Sequence, residues 1–112
     1  MSAGTYNLVI DQGSDFALDL VIKEGGSALN LANYSGRAQL RTSVDASSAS
    51  ASFTVTVTNA ANGALKMQLP AATSSGISAG QYVYDLEIYT SSDSIVKRIM
   101  QGDVTITPEV TR

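Results

Sequence analysis

The sequence has no cysteine, no histidine and no tryptophan. Without cysteine there are no disulfides and no thiolate metal sites, and nothing about the redox compartment can be read from the chain. Chemistry near neutral pH usually recruits His or Cys, so their joint absence points away from an enzyme and away from a bound cofactor or metal. Charge is scarce as well: 15% of residues are charged, against roughly 25% in ordinary soluble domains. The seven basic residues are scattered, and the net charge is −3. Clustered Lys and Arg are what release counterions from phosphates, so no nucleic-acid partner is expected. Residues Met1 to Tyr6 carry neither a basic nor an apolar leader segment. No apolar run approaches the roughly 18 residues of a membrane span, so no membrane partner is expected either.

What is present is Ser, Thr, Ala and Asn, and alternation. Residues 1–112 fit one domain with short flexible termini, large enough to bury a core without cross-links. The longest regular pattern is Gly80 to Tyr89, where Tyr82, Tyr84, Leu86 and Ile88 share one face at period two and Val83, Asp85, Glu87 and Tyr89 share the other. Shorter alternating runs cover Tyr6–Ile10, Phe16–Lys23, Gly36–Thr42, Phe53–Thr58, Leu65–Leu69 and Ile95–Thr107, the last with a bulge or bend expected near Gly102. Between them lie the turn formers Asp11–Asp15, Gly25-Gly26 and Asn59–Gly63, a helical turn after Pro70, and a reversal at Ser91–Ser94. Leu29–Gly36 reads as a wide loop plugging one end of the core, and Asp45–Ser52, small and low in complexity, as a mobile loop.

About seven short strands with no amphipathic helix indicate an all-β, immunoglobulin-like antiparallel β-sandwich, with a small closed barrel as the alternative. Gly80 followed by Tyr82 at the start of a strand matches the tyrosine corner of immunoglobulin-like domains. Tyr84 then stands where antibody domains place a cysteine, so its ring is expected to fill the core in place of a disulfide.

Three groups invite a site reading. Asp85 and Glu87 lie two apart on an outward face, as a carboxylate pair would. Arg37 and Arg41 on the neighbouring strand explain them more simply as cross-strand ion pairs. Asp11–Asp15 brings two carboxylates onto a Gly-containing turn, but the position that would need a bidentate Glu in a calcium loop is Ile22, so a solvated turn is expected. Tyr34, Tyr84 and Tyr89 hint at sugar stacking, although aromatics are only 6% of the chain and Tyr84 reads as core.

The outward Thr and Ser residues suit packing against another protein surface at small desolvation cost. The expected interface lies at the loops and ends, including Ser47, Ser48, Ser50, Tyr89, Pro108 and Val110, together with the residues before Tyr6.

Several segments read together point to a family. Asp11-Gln-Gly with Phe16, Leu18 and Leu20 is followed by Leu29–Tyr34 running into Arg37–Arg41. Leu69-Pro70, Ala79–Glu87, Gln101–Ile106 and Pro108–Thr111 complete the series. In this order they resemble small structural proteins of tailed bacteriophages, and the pattern is similar to the immunoglobulin-like N-terminal domain of phage upper baseplate proteins. The resemblance implies a virion component without enzymatic activity, made in the host cytoplasm and docked in many copies in a symmetric assembly onto other virion proteins at the tail, baseplate or fibre attachment. The alternatives are a capsid decoration or cement protein and, from another class, a carbohydrate-binding module that adheres to the host surface. In the baseplate relatives a helical, receptor-binding portion follows the domain, and this chain stops where that portion would begin.

Overall fold

A computed structural model describes residues 4–111. The alternating runs form β2 (Leu8–Asp11), β3 (Phe16–Val21), β6 (Ser35–Arg41), β7 (Ala51–Asn59), β8 (Ala64–Leu69), β9 (Gly80–Tyr89) and β10 (Val96–Thr107), with short β1 (Gly4–Thr5), β4 (Lys23–Glu24) and β5 (Ser27–Ala28) added. One helical turn, α1 (Ala71–Ser74), follows Pro70. None of the described helices is long and apolar enough to cross a membrane.

The pairing is that of an immunoglobulin-like sandwich. One layer runs β10, β9, β6, with β1 and β2 parallel to β10 at its edge. The other runs β7, β8, β3. β7 belongs to both: Ala51–Phe53 pair with β6 and Thr54–Asn59 with β8, so the sheet path curls continuously from one layer to the other. Period-two burial follows from this geometry, because each sheet turns one face to the partner layer. Leu40, Leu65, Met67, Leu86, Ile88 and Val104 are fully buried between the layers, and Leu31 closes one end from the β5–β6 loop.

Turn chemistry explains the reversals. Gly25 and Gly26 both have positive φ, 63° and 84°, the requirement of a two-residue type I′ hairpin, and they join β4 to β5. At Asn59–Gly63 the outcome differs from a tight Asn-Gly turn: residues 60–62 form a 3-10 turn capped by the Asn59 side chain, and only Gly63 takes positive φ.

β10 differs from expectation in one informative respect. It runs unbroken through Gly102, and the register slips between Arg98 and Met100 instead, making Ile99 the extra residue. A bulge exchanges the two faces of a strand. Met100 can therefore be buried while Arg98, two residues earlier, faces solvent. Gly102 serves a different purpose: a Cβ there would run into the Tyr6 backbone carbonyl, so the glycine lets the N-terminal segment lie close against β10.

Candidate functional site

The outer face of the long layer gathers most of the residues singled out in the sequence. Register sets Arg37 opposite Glu87, Gln39 opposite Asp85 and Arg41 opposite Val83. Arg37 Nε donates to Glu87 Oε1 at 2.9 Å, and its guanidinium lies 4.4 Å from the centre of the Tyr89 ring. Tyr89, half-buried, is thus covered by a cation rather than open for sugar stacking.

Of the expected cross-strand ion pairs of Arg37 and Arg41 with Asp85 and Glu87, Arg41 makes none among the described residues. Arg41 is one register step away and turns to the following loop, donating to the Ala46 carbonyl at 3.0 Å and to Gln39 Oε1 at 2.9 Å. Asp85 Oδ2 lies 3.4 Å from Arg98 Nε on the other neighbouring strand. Sequence alternation hid this partner, because the bulge at Ile99 is what brings Arg98 to the outer face. The readable signal was that Arg98 and Met100, two apart, could not share one face. Burial and the Glu87 charge raise the Asp85 carboxyl above its ordinary value, and the Arg98 and Arg41 charges only partly oppose them. Between these side chains is an open depression of about 410 Å³, lined among others by Gln39, Val44, Val83, Gln101 and Asp103.

On the inner face, Tyr82 Oη donates to the Ser78 carbonyl at 2.7 Å, the geometry of a tyrosine corner. Tyr84 packs edge-on to Phe53, with centroids 6.3 Å apart, and Phe53 contacts Phe16 of the opposite layer at 6.1 Å. This aromatic chain spans the sandwich where a disulfide would in an antibody domain. Tyr84 Oη donates to the Tyr6 carbonyl and so ties the N-terminal segment to β9. Burial, reinforced by Tyr6, pushes its hydroxyl up to about 12.

Asp11–Asp15 is the expected turn, closed by the Ser14 N–H on the Asp11 carbonyl at 3.1 Å with Asp11, Ser14 and Asp15 exposed, and it also serves as a clamp. Asp11 accepts from the Thr107 hydroxyl at 2.7 Å and Asp15 from the Ala71 N–H at 2.7 Å. Gln12 donates to the Ile77 carbonyl at 2.8 Å and accepts from the Glu109 N–H at 3.0 Å. Ser74, wholly buried, accepts from the Gly13 N–H at 3.1 Å and donates to the Ser14 carbonyl at 2.8 Å. The carboxylates are thus spent on holding α1 and the C-terminal segment. Among the described residues no group of His, Cys, Asp and Glu has the makings of a metal site.

Of the expected interface residues, Ser47, Ser48, Ser50, Pro108 and Val110 are exposed, Val110 at 92%. The segments around them are more tied down than expected. Ser50 N–H donates to the Leu40 carbonyl at 2.8 Å and β7 already begins at Ala51, inside the expected loop. Glu109 anchors the tail. Of the residues before Tyr6, Gly4 and Thr5 form β1, while residues 1–3 lie outside those described, as does Arg112 at the other end.

The sequence did not reveal which strand edge is left uncovered. β3 pairs with β8 on one side and with nothing described on the other. Ile22 directs both backbone groups to the β8 side, its N–H to the Gly63 carbonyl at 2.8 Å and its carbonyl to the Leu29 N–H at 2.9 Å. Glu24, flanking the two-residue turn, likewise faces β5. Backbone direction alternates along an antiparallel ladder. The N–H and C=O groups of Ala17, Asp19, Val21 and Lys23 therefore point outward along one continuous free edge from β3 into β4. All four residues are exposed.

No family model matches this chain, and no curated protein matches it. Among solved structures it is similar to a family 123 glycoside hydrolase from Clostridium perfringens, described as hydrolysing glycolipid glycans. The TM-score is 0.42 at 14% identity, with 97% of this chain and 24% of that chain covered. The chain thus spans about a quarter of that enzyme's length, and a likeness of this size carries no functional argument.

Proposed function

We propose that this chain is a structural module of a tailed-bacteriophage virion, working without catalysis by packing against other virion proteins at the tail, baseplate or fibre attachment. The observation that carries the packing role is the free edge of residues 17–24. Eight backbone groups there are left to solvent or to a partner strand, with Phe16, Leu18 and Leu20 only half-buried beneath them. Monomeric β-proteins usually blunt such an edge with bulges, prolines, charged side chains or a covering segment, and among the described residues this edge carries the charges of Asp19 and Lys23 but no bulge, proline or cover. Exposed Val9, Ile95, Val96 and Val110 add small apolar contacts at the other margins. The virion setting rests on the ordered series of segments from Asp11 to Thr111 that resembles phage structural proteins. Capsid decoration would use the same surfaces and is the near alternative. Peptide mass spectrometry of purified virions tests the reading: the chain is expected in stoichiometric amounts, and its absence from particles overturns the proposal.

A second reading has one observation in its favour. The depression on the outer face presents amide and carboxylate groups from Gln39, Asp85, Gln101 and Asp103, the kind of polar lining that hydrogen-bonds sugar hydroxyls. Binding to a glycan array that is lost in Gln39→Ala and Gln101→Ala would favour a carbohydrate-binding module.

A further inference from the structure

We infer that the free β3–β4 edge pairs with the same edge of a second copy of this chain, forming an antiparallel two-fold dimer in which the short layers join into one continuous sheet. This goes beyond the virion reading, because it concerns the isolated chain and stands whether or not the chain belongs to a particle.

The register follows from the outward backbone groups. In an antiparallel pair, residues facing each other across the edge must both direct their N–H and C=O groups toward it, so Ala17, Asp19, Val21 and Lys23 can pair only among themselves. A two-fold axis at Asp19 would oppose two carboxylates, which is destabilising. An axis at Leu20 sets Asp19 against Val21 and Ala17 against Lys23, leaving each charge beside an apolar neighbour. An axis at Val21 sets Asp19 against Lys23 of the partner copy, twice by symmetry, and meets Val21 with its own counterpart. Val21 is 58% exposed in the single chain and gains cover in this arrangement. Among the described residues Lys23 has no ion-pair partner, and Asp19 has only Lys66 at 3.9 Å on the exposed outer face.

Apolar cover extends beneath the new pair. A shallow crevice of about 300 Å³ runs between the β3–β4 edge and β1–β10, lined by Tyr6, Leu20, Val21, Ile22, Ile99 and Met100 among others. Tyr6 on its rim is 50% exposed. Two crevices come together at the proposed axis, so Tyr6 and Val21 of both copies lose water contact as the strands pair.

Sedimentation velocity of the whole chain, with protein concentration raised to about 1 mM, tests the inference. A reversible monomer–dimer equilibrium is expected. Asp19→Lys or Lys23→Asp alone is expected to weaken it about tenfold or more, since two attractive pairs become two repulsive ones. The double variant Asp19→Lys with Lys23→Asp restores the opposite charges in exchanged positions and is expected to return dimerisation to within about threefold of the parent. Thermal unfolding of each variant at low concentration shows that the monomer still folds. A chain that stays monomeric throughout overturns the inference, and so does a dimer indifferent to both single substitutions or not restored by the exchange.

Discussion

The two margins of this sandwich on either side of the crevice are built in opposite ways. On the long layer the margin is closed by side-chain ties: β1 and β2, themselves paired on one side only among the described residues, lie parallel to β10, Tyr84 holds the Tyr6 carbonyl, and the Asp11–Asp15 clamp fastens α1 and the C-terminal segment to the same seam. On the short layer β3 and β4 end in a row of backbone groups unpaired among the described residues. In an immunoglobulin-like fold the first strand can be shared between these positions, and here its described residues pair with β10. The closed seam thereby stabilises the monomer, while the open edge contributes little to it and is the edge at which pairing with a second copy is proposed.

Breaking the closed seam should cost most. Tyr84→Ala removes the ring that packs against Phe53 in the core together with the Tyr6 bond, and about 3–5 kcal/mol of stability is expected to go with it, read from urea unfolding. The ionisation of Tyr84 makes the next largest effect. Its hydroxyl is raised from 10.0 to about 12 in the folded chain, so the stability it contributes is fully present below pH 10 and is lost as pH rises through the folded value. That loss amounts to no more than about 3 kcal/mol between pH 10 and 12, and it should be absent from Tyr84→Phe. Ser74→Ala removes the buried hydroxyl that bonds the half-buried Gly13 N–H and the Ser14 carbonyl and is expected to cost about 0.5–1.5 kcal/mol in the same assay.

Away from the seam the effects shrink. The Asp85 carboxyl is raised, so its proton is held more tightly in the folded chain. Its favourable contribution is complete below the ordinary carboxylate range and falls away as pH rises through the folded value. Asp85→Asn should therefore leave the melting temperature at pH 7 unchanged or slightly higher, with any gain disappearing in acid. At the open edge, Val21→Thr should shift monomer stability by no more than about 0.5 kcal/mol. A loss of several kcal/mol there would show the edge to be structural and would erase the contrast between the margins.

Much of the fold was legible because period-two burial is a local signal. Gly80–Tyr89 reads directly as a strand with Tyr82, Tyr84, Leu86 and Ile88 inside, and Gly25-Gly26 as a tight hairpin. What escaped depended on contacts distant in sequence. The Asp11–Asp15 turn holds residues up to 97 positions away, and nothing in a five-residue turn announces such partners. Arg98 was hidden by a bulge that inverts strand parity. Arg41 turns to Ala46 and Gln39 instead of a carboxylate, because neighbouring strands are legible in the sequence while their register, set by residue-by-residue packing, is not. The open edge was the least visible feature, since whether the first strand covers β3 or β10 is decided by topology, and both choices have the same alternation.

Residue-resolved amide hydrogen exchange on the monomer at high dilution tests the contrast most directly. Leu18, Leu20 and Ile22 should be protected, with Ala17, Asp19, Val21 and Lys23 exchanging at nearly unprotected rates, while Leu8 and Ile10, whose N–H groups face β10 on the closed seam, show protection close to that of β9. Equal protection of both alternating sets along β3–β4 in the dilute monomer would contradict the account.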